Sequence, residues 1–599
     1  MACNGSVSEE NVPDPNPIKS DQTFDLSIQE GQEENIPERP EWSNRREFLL
    51  SCISMSVGLG NVWRFPVTAY ENGGGAFLIP YLTVVFLIGR PLYFLELCLG
   101  QFSSDTQIGI WRMAPLFKGV GITSMISLVS VLTYYVYIMA LSLHYLFTSI
   151  YSLTTSNQKL PWTELEYGYN YNGSLTDNNN MSLPEMYFKY EVVKEADSIV
   201  NMSDIGFPDW KLSLCLIICW LIVFVCLIRG VKSSGKVAHV TAIVPYIGMS
   251  ILVAHGLTLK GGLDGIYYFI TPRWEKLLEP KVWFEATTQS FFSLNIGFGS
   301  SIMFGSRNKI DLNLYQSSYI ITVVDTCTSL LAGCTIFATL GNLAVERGTD
   351  VSQVVSGGGA GLVFITYADA LAKFQWCPQI FSMIFFLMLF ILGLGSVNSC
   401  VGTVVSILQD SFPKRMGWKM LLSGVSVGGC ACGMMYTTPG GLWLMELVSF
   451  YSSSFVVFTS TILFLVGVTW VYGVNNVFDD VEFMLGTRPS MFTKICLKFI
   501  IPAVMIIILS CLIIEGMAPT YMDREYPLFA LAFGCTISAF ALVMLPVAAI
   551  HSMQQLKGPS LKEKFFQSLN PTASWGPRNP QNMEKWKEFT KDRDRSMYG

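Results

Sequence analysis

Ser56-Val57-Gly58-Leu59-Gly60-Asn61 and Asn295-Ile296-Gly297-Phe298-Gly299-Ser300 interrupt two apolar stretches at their middles, the second about 240 residues after the first. Each places a Gly-x-Gly, flanked by amide and hydroxyl side chains, where an unbroken helix is the default. Glycine costs about 1 kcal/mol relative to alanine in a helix interior, and inside a bilayer every freed carbonyl and amide must find a partner. Something polar is therefore expected at both breaks. Discontinuous helices in corresponding positions of two halves point to the central site of a secondary transporter.

The composition fits a membrane setting. Of 599 residues 51% are hydrophobic and 14% charged, and the mean hydropathy is +0.41, too apolar for an ordinary soluble protein. A net charge of -6 offers nothing to a nucleic acid. Nearly all of the 15 cysteines sit in or beside apolar segments, as Cys215, Cys219 and Cys226 do, and read as small buried hydrophobes.

Stretches of about 20 apolar residues number twelve: 46–69, 75–98, 120–149, 212–229, 237–258, 283–306, 317–344, 377–408, 418–436, 443–473, 493–514 and 526–550. The expected organisation is a disordered cytoplasmic tail over 1–40, a twelve-helix body over 41–550 and a cytoplasmic tail over 551–599. Lysine and arginine occupy mostly alternate loops, at Arg45 and Arg46, Arg112 and Lys118, Arg229 and Lys236, Arg307 and Lys309, and Lys414 and Arg415. By the positive-inside rule both termini face the cytoplasm. The large loop at 150–211 then lies outside, and it carries glycosylation sequons at Asn172, Asn180 and Asn201. The first 40 residues are polar and acidic, and no cleavable leader is expected there.

Asn61-Val62-Trp63-Arg64-Phe65-Pro66, Glu71-Asn72-Gly73-Gly74-Gly75-Ala76-Phe77, Ile79-Pro80-Tyr81 and Tyr134-Tyr135 resemble the neurotransmitter:sodium symporter family. The resemblance runs from about Arg39 to the twelfth span, and Trp575-Gly576-Pro577 is similar to the insect nutrient amino acid transporters within that family. It implies an all-α membrane protein of twelve transmembrane helices, with a five-plus-five inverted repeat in which helices 1 and 6 are broken.

Carried over position by position, the resemblance implies a substrate site at Ser56, Gly58, Leu59, Gly60, Val131, Tyr135, Phe292, Asn295, Phe298, Ser396 and Cys400. Free N–H groups at a half-helix end suit an anion. Monoamine carriers of the family have an aspartate at the position of Gly58; a glycine leaves room for a carboxylate that arrives with the substrate, so the substrate is expected to be an amino acid. No charge lines the pocket, which favours neutral ones. Tyr135 is expected to hold the carboxylate and Phe292 to cover it. Read alone, these aromatics are ordinary packing residues; their coincidence with the paired breaks is what singles them out.

Sodium is the implied coupling ion, with potassium admitted and chloride dependence left open. Cation site one maps to Ser56, Asn61, Ser293 and Asp325, where aspartate replaces the usual asparagine. A carboxylate at membrane depth costs roughly 2.5 to 3.5 kcal/mol on insertion scales. No lysine or arginine lies within 316–345 to pair with it, so Asp325 is expected to join in cation binding. Site two maps to Ser54, Val57, Leu392 and Ser396; Gly395 offers no side-chain oxygen. The chloride positions are Tyr81, Gln289, Ser293 and Ser329.

The gates map to Arg39, Trp42 and Asp410 on the inside and Arg64 on the outside. Arg307 replaces a customary tyrosine, where it could add a second charge to Asp410 or loosen the latch. Ser449 replaces the usual acidic partner of Arg64, with Glu446 as a substitute one turn earlier. The exterior loop also lacks the cysteines that form a disulfide in many animal relatives. An enzyme is not expected: the four histidines are scattered and no His-Glu-x-x-His occurs. The partners expected are a small amino acid and membrane lipid, at the plasma membrane. An amino-acid sensor on the same fold is the rival reading.

Overall fold

Where no water is at hand, a chain must pair its backbone groups within itself, and a long apolar run does so as a helix. A computed structural model of the protein describes residues 40–154, 159–163, 182–195, 205–351, 362–374, 376–412, 416–514, 519–521 and 524–598. Arg39 and the sequons at Asn172, Asn180 and Asn201 lie outside the described residues.

The first apolar stretch is split into α1 (Arg45–Ser56) and α2 (Phe65–Glu71), joined by a single wide turn over Gly60–Arg64. The two halves meet at 42°. Asn44 caps α1 by accepting the Glu47 N–H. There follow α3 (Gly75–Ser103), α4 (Lys118–Thr154), α5 (Trp210–Leu227), α6 (Val231–Thr258) and the short α7 (Gly262–Ile270). The second broken stretch gives α8 (Pro280–Leu294) and α9 (Ser300–Gly305).

Next come α10 (Leu314–Arg347), α11 (Pro378–Ser411) and α12 (Trp418–Gly433). The last long helices are α13 (Gly441–Leu485, redirected at Gly473, φ +99°), α14 (Met491–Ile514) and α15 (Leu528–Gln555). Short helical turns in the loops are left unlabelled. A two-stranded ladder pairs Thr520 with Glu525 and Tyr521 with Arg524.

Ten helices among the described residues are long and apolar enough to cross a membrane, and the bent α1–α2 pair makes an eleventh. The expected twelve is not reached on that measure for a local reason: in α8 and α9 the apolar stretch 283–306 is divided into pieces of 15 and 6 residues. The fold is an all-α membrane bundle. Its C-terminal segment is docked on that bundle. Trp575 is buried against Phe102, and its indole N–H donates to Tyr472 Oη at 2.9 Å.

Small residues set how close the halves of the second break come to the rest. A Cβ on Gly100 of α3 would lie 2.0 Å from the Ile302 carbonyl oxygen, and one on Gly305 of α9 would lie 2.3 Å from that of Leu97. The two backbones touch, as small residues allow in membrane bundles. Overpacking such an approach costs about 1–3 kcal/mol or more. Gly100→Val should therefore lower the thermal midpoint and the monodisperse fraction in detergent size-exclusion chromatography, whereas Gly424→Ala, with no atom within 4 Å, should match the wild type.

Candidate functional site

At the first break α1 ends on Ser56, and Val57 leaves the helical region at φ -79°, ψ 88°. The exposed amides are then met by side chains. Gly58 N–H donates to Asn61 Oδ1 at 3.0 Å, and Leu59 N–H donates to Tyr135 Oη of α4 at 3.0 Å. At the second break Asn295 is left-handed at φ +53°, and Gly297 and Gly299 follow at +82° and +80°, a region glycine enters without penalty. Gly297 N–H donates to Glu96 Oε1 of α3 at 2.9 Å.

A cavity of about 460 Å³ opens between the breaks. All eleven residues expected to contact substrate line it: Ser56, Gly58, Leu59, Gly60, Val131, Tyr135, Phe292, Asn295, Phe298, Ser396 and Cys400. Asn295 Nδ2 donates to Cys400 Sγ at 3.6 Å. Gly58 leaves no room for a side chain, since a Cβ there would lie 2.5 Å from Ser396 Oγ and 2.9 Å from Tyr135 Oη. Gly60 is the opposite case, with nothing within 4 Å.

Beside this cavity Asn61 and Ser293 of cation site one converge on Asp325, which is 1% exposed, while Ser56 lines the cavity. Its carboxylate accepts Asn61 Nδ2–H at 2.8 Å and the Ser293 hydroxyl at 2.9 and 2.8 Å. Asn61 Nδ2 also lies 2.8 Å from Ser329 Oγ. The Asp325 carboxylate with the Ser293 and Ser329 hydroxyls gathers the kind of oxygens that a hard monovalent cation takes. The four chloride positions fall against the same cluster. Tyr81 Oη is 3.5 Å from Ser329 Oγ, and Gln289 Nε2 donates to the Gly60 carbonyl at 3.3 Å. The Ser293 proton points to Asp325.

The site-two positions lie where α1 meets α11. The Ser396 hydroxyl donates to the Met55 carbonyl at 3.1 Å, and Ser54 Oγ is 2.6 Å from Thr241 Oγ1. Gly395 has a steric reason to lack a side chain: a Cβ would lie 2.3 Å from Ser54 Oγ.

On the outer side Arg64 reaches over the Phe292 ring at 4.6 Å and pairs with Glu285 Oε2 at 3.8 Å. This corrects the expectation for Glu446, which lines the same cavity but is not the residue in that ion pair; Glu285 sits on α8 two turns before Phe292 and so meets the guanidinium where it covers the ring. On the inner side Trp42 Nε1–H donates to the Phe304 carbonyl at 3.2 Å, and Asp410 accepts the Thr106 hydroxyl at 2.9 Å. Arg307 Nη2 donates to Ser406 Oγ at 3.3 Å, one turn before Asp410.

Sequence reasoning passed over Glu96 and Glu285. A lone glutamate in Leu92-Tyr93-Phe94-Leu95-Glu96-Leu97 was itself a signal, because an ionisable residue at membrane depth marks a functional position by default. Glu285 gave no such sign, lying near the end of its span.

Comparison with known proteins agrees with this geometry. Residues 39–556 match the model of the sodium:neurotransmitter symporter family. The chain is 42% identical over 593 residues to the sodium-dependent nutrient amino acid transporter 1 of Drosophila willistoni, covering 93% of this chain and 91% of the relative. It is 43% identical to that of Drosophila persimilis (94% and 88% covered) and 42% identical to that of Drosophila melanogaster (93% and 90% covered). With a family model spanning most of its length and relatives of this identity, the chain belongs to the sodium:neurotransmitter symporter family.

Proposed function

We propose that this protein is a sodium-coupled symporter of neutral amino acids at the plasma membrane, with both termini cytoplasmic. The observation that carries this reading is Gly58. It leaves the amides of the first break facing a cavity with no acidic side chain at that position, beside the Asp325 cluster. The relatives' names describe sodium-dependent amino acid transporters, which supports the same substrate. Neutral selectivity is supported by Val131, Phe298, Cys400 and Asn295, which bring no charge; contrary to expectation the cavity as a whole is not free of charge, since Arg64, Glu71, Glu285 and Glu446 also line it.

On this reading the cation at site one sits among Ser56, Asn61, Ser293 and Asp325, and the second among Ser54, Val57, Leu392 and Ser396. Arg64 with Phe292 closes the outside, and Arg39, Trp42 and Asp410 close the inside. Potassium can replace sodium because a full charge at Asp325 attracts cations of either size. Chloride dependence is weak. The carboxylate already offsets the cation's charge, and the Ser293 hydroxyl spends its hydrogen bond on that carboxylate instead of on an anion. One monovalent cation entering down a tenfold gradient releases about 1.4 kcal/mol, and about 60 mV adds a similar amount. Together they sustain accumulation on the order of a hundredfold.

Isotope uptake with sodium, potassium and chloride varied one at a time tests the whole reading. Sodium-driven accumulation of neutral amino acids is expected, with most of the rate kept when gluconate replaces chloride; binding without accumulation would establish a sensor instead. Asp325→Asn should make the carrier chloride-dependent and lower the potassium-to-sodium ratio of uptake, and an unaltered ratio would remove Asp325 from the cation site. Gly58→Ala forces Ser396 or Tyr135 aside at about 1–3 kcal/mol, so apparent substrate affinity should fall roughly five- to a hundredfold. Gly60→Ala should stay within about twofold, read in the same uptake assay.

A further inference from the structure

A second, smaller cavity of about 30 Å³ lies on the cytoplasm-directed side of cation site two, between α1, α6 and α11. Ser54 and Gly395 are at its upper edge, and Ser51 and Asn398 line it lower down. Three helical residues rise about 4.5 Å. Ser51 is one turn from Ser54 and Asn398 one turn from Gly395, and because α1 and α11 run in opposite directions both steps lead to the end that bears Trp42 and Trp418. Those two indoles line the cavity there, donating to the carbonyls of Phe304 and Leu227 at 3.2 and 2.8 Å.

Asn398 is 6% exposed and Ser51 4%. The Asn398 amide meets the Cys226 thiol in a side-chain hydrogen bond, but its oxygen has no hydrogen-bond partner, and neither does Ser51 Oγ. Buried polar groups left this way are costly unless something visits them. The volume admits one or two particles of water size, too little for a cation with its full hydration shell and enough for one carrying a single water. Hard cations take oxygen ligands, and Ser51 Oγ and Asn398 Oδ1 are unclaimed oxygens.

We propose that Ser51 and Asn398 form a transit station for the coupling cation, occupied after it leaves Ser54, Val57, Leu392 and Ser396 and before Trp42 and Trp418 part to release it. The inference rests on the sodium-coupled reading above. Gly395 leaves site two one oxygen short of what its position can supply, and the amide one turn below receives the departing ion. The contact with the Cys226 thiol engages only one side of the Asn398 carboxamide, and its oxygen is left for the ion.

The test uses the full-length carrier in proteoliposomes, with sodium as the probe. Asn398→Leu should slow sodium-driven uptake about tenfold, the effect of removing one oxygen ligand from the exit path, while sodium half-saturation of equilibrium substrate binding stays within about twofold. Asn398→Ser should keep most of the rate. Asn398→Asp should bind sodium more tightly and also turn over more slowly, because the ion is held. Wild-type turnover in Asn398→Leu would overturn the proposal, as would a loss of sodium binding as large as the loss of rate. If Asn398→Leu fails to fold, Asn398→Asp carries the test, and an unchanged sodium dependence there would overturn it. Absence of sodium-driven uptake in the wild type would overturn the underlying function, and is told apart because it precedes any variant.

Discussion

Two interrupted helices at membrane depth must have their backbone amides met by something, and that constraint organises the rest of the molecule. No water is available to absorb the cost. The partners come from elsewhere in the sequence: Tyr135 of α4 accepts Leu59 N–H, Glu96 of α3 accepts Gly297 N–H, and Asn61 folds back on Gly58. The helices that frame the site are therefore also those that keep the breaks open. Close packing of α3 on α9 through Gly100 and Gly305 brings the Glu96 carboxylate to where Gly297 needs it.

A second consequence concerns charge. A buried carboxylate costs several kcal/mol unless it is paired or hydrogen-bonded, and Asp325 accepts from two donors, Asn61 and Ser293, with no cationic side chain between them. Hydrogen bonds lower that cost but leave the negative charge in place. Arg64, three residues beyond Asn61, is engaged instead with Glu285 and Phe292. On the proposed reading a mobile cation supplies the missing partner, one that can leave.

Much of this was legible in the chain. The Gly-x-Gly pairs marked the breaks, the apolar stretches marked the helices within a few residues, and all eleven candidate contact residues line one cavity. What escaped was set by three-dimensional approach. The partner of Arg64 depends on which turn of α8 lies beside α2, so Glu285 could not be told from Glu446 by spacing alone. The docking of the C-terminal segment through Trp575 and Trp586 on Tyr472 and Asp480 depends on indole N–H groups finding acceptors about 100 residues away in the chain. The silence of Gly395 acquires a cause only when Ser54 is seen against it.

Asn61 ties the two halves of the candidate site into one device. Its side-chain oxygen accepts Gly58 N–H and its nitrogen donates to Asp325, so one amide spans from the first break to the carboxylate. A cation at site one needs that same oxygen as a ligand. Drawing the oxygen away releases Gly58 N–H, and the released donor faces the cavity where a substrate carboxylate would sit. On the proposed reading cation binding prepares the anion site, and by linkage substrate binding then strengthens cation binding by the same factor. An ordinary unbroken helix could not do this, because its Gly58 N–H would already belong to the carbonyl four residues earlier.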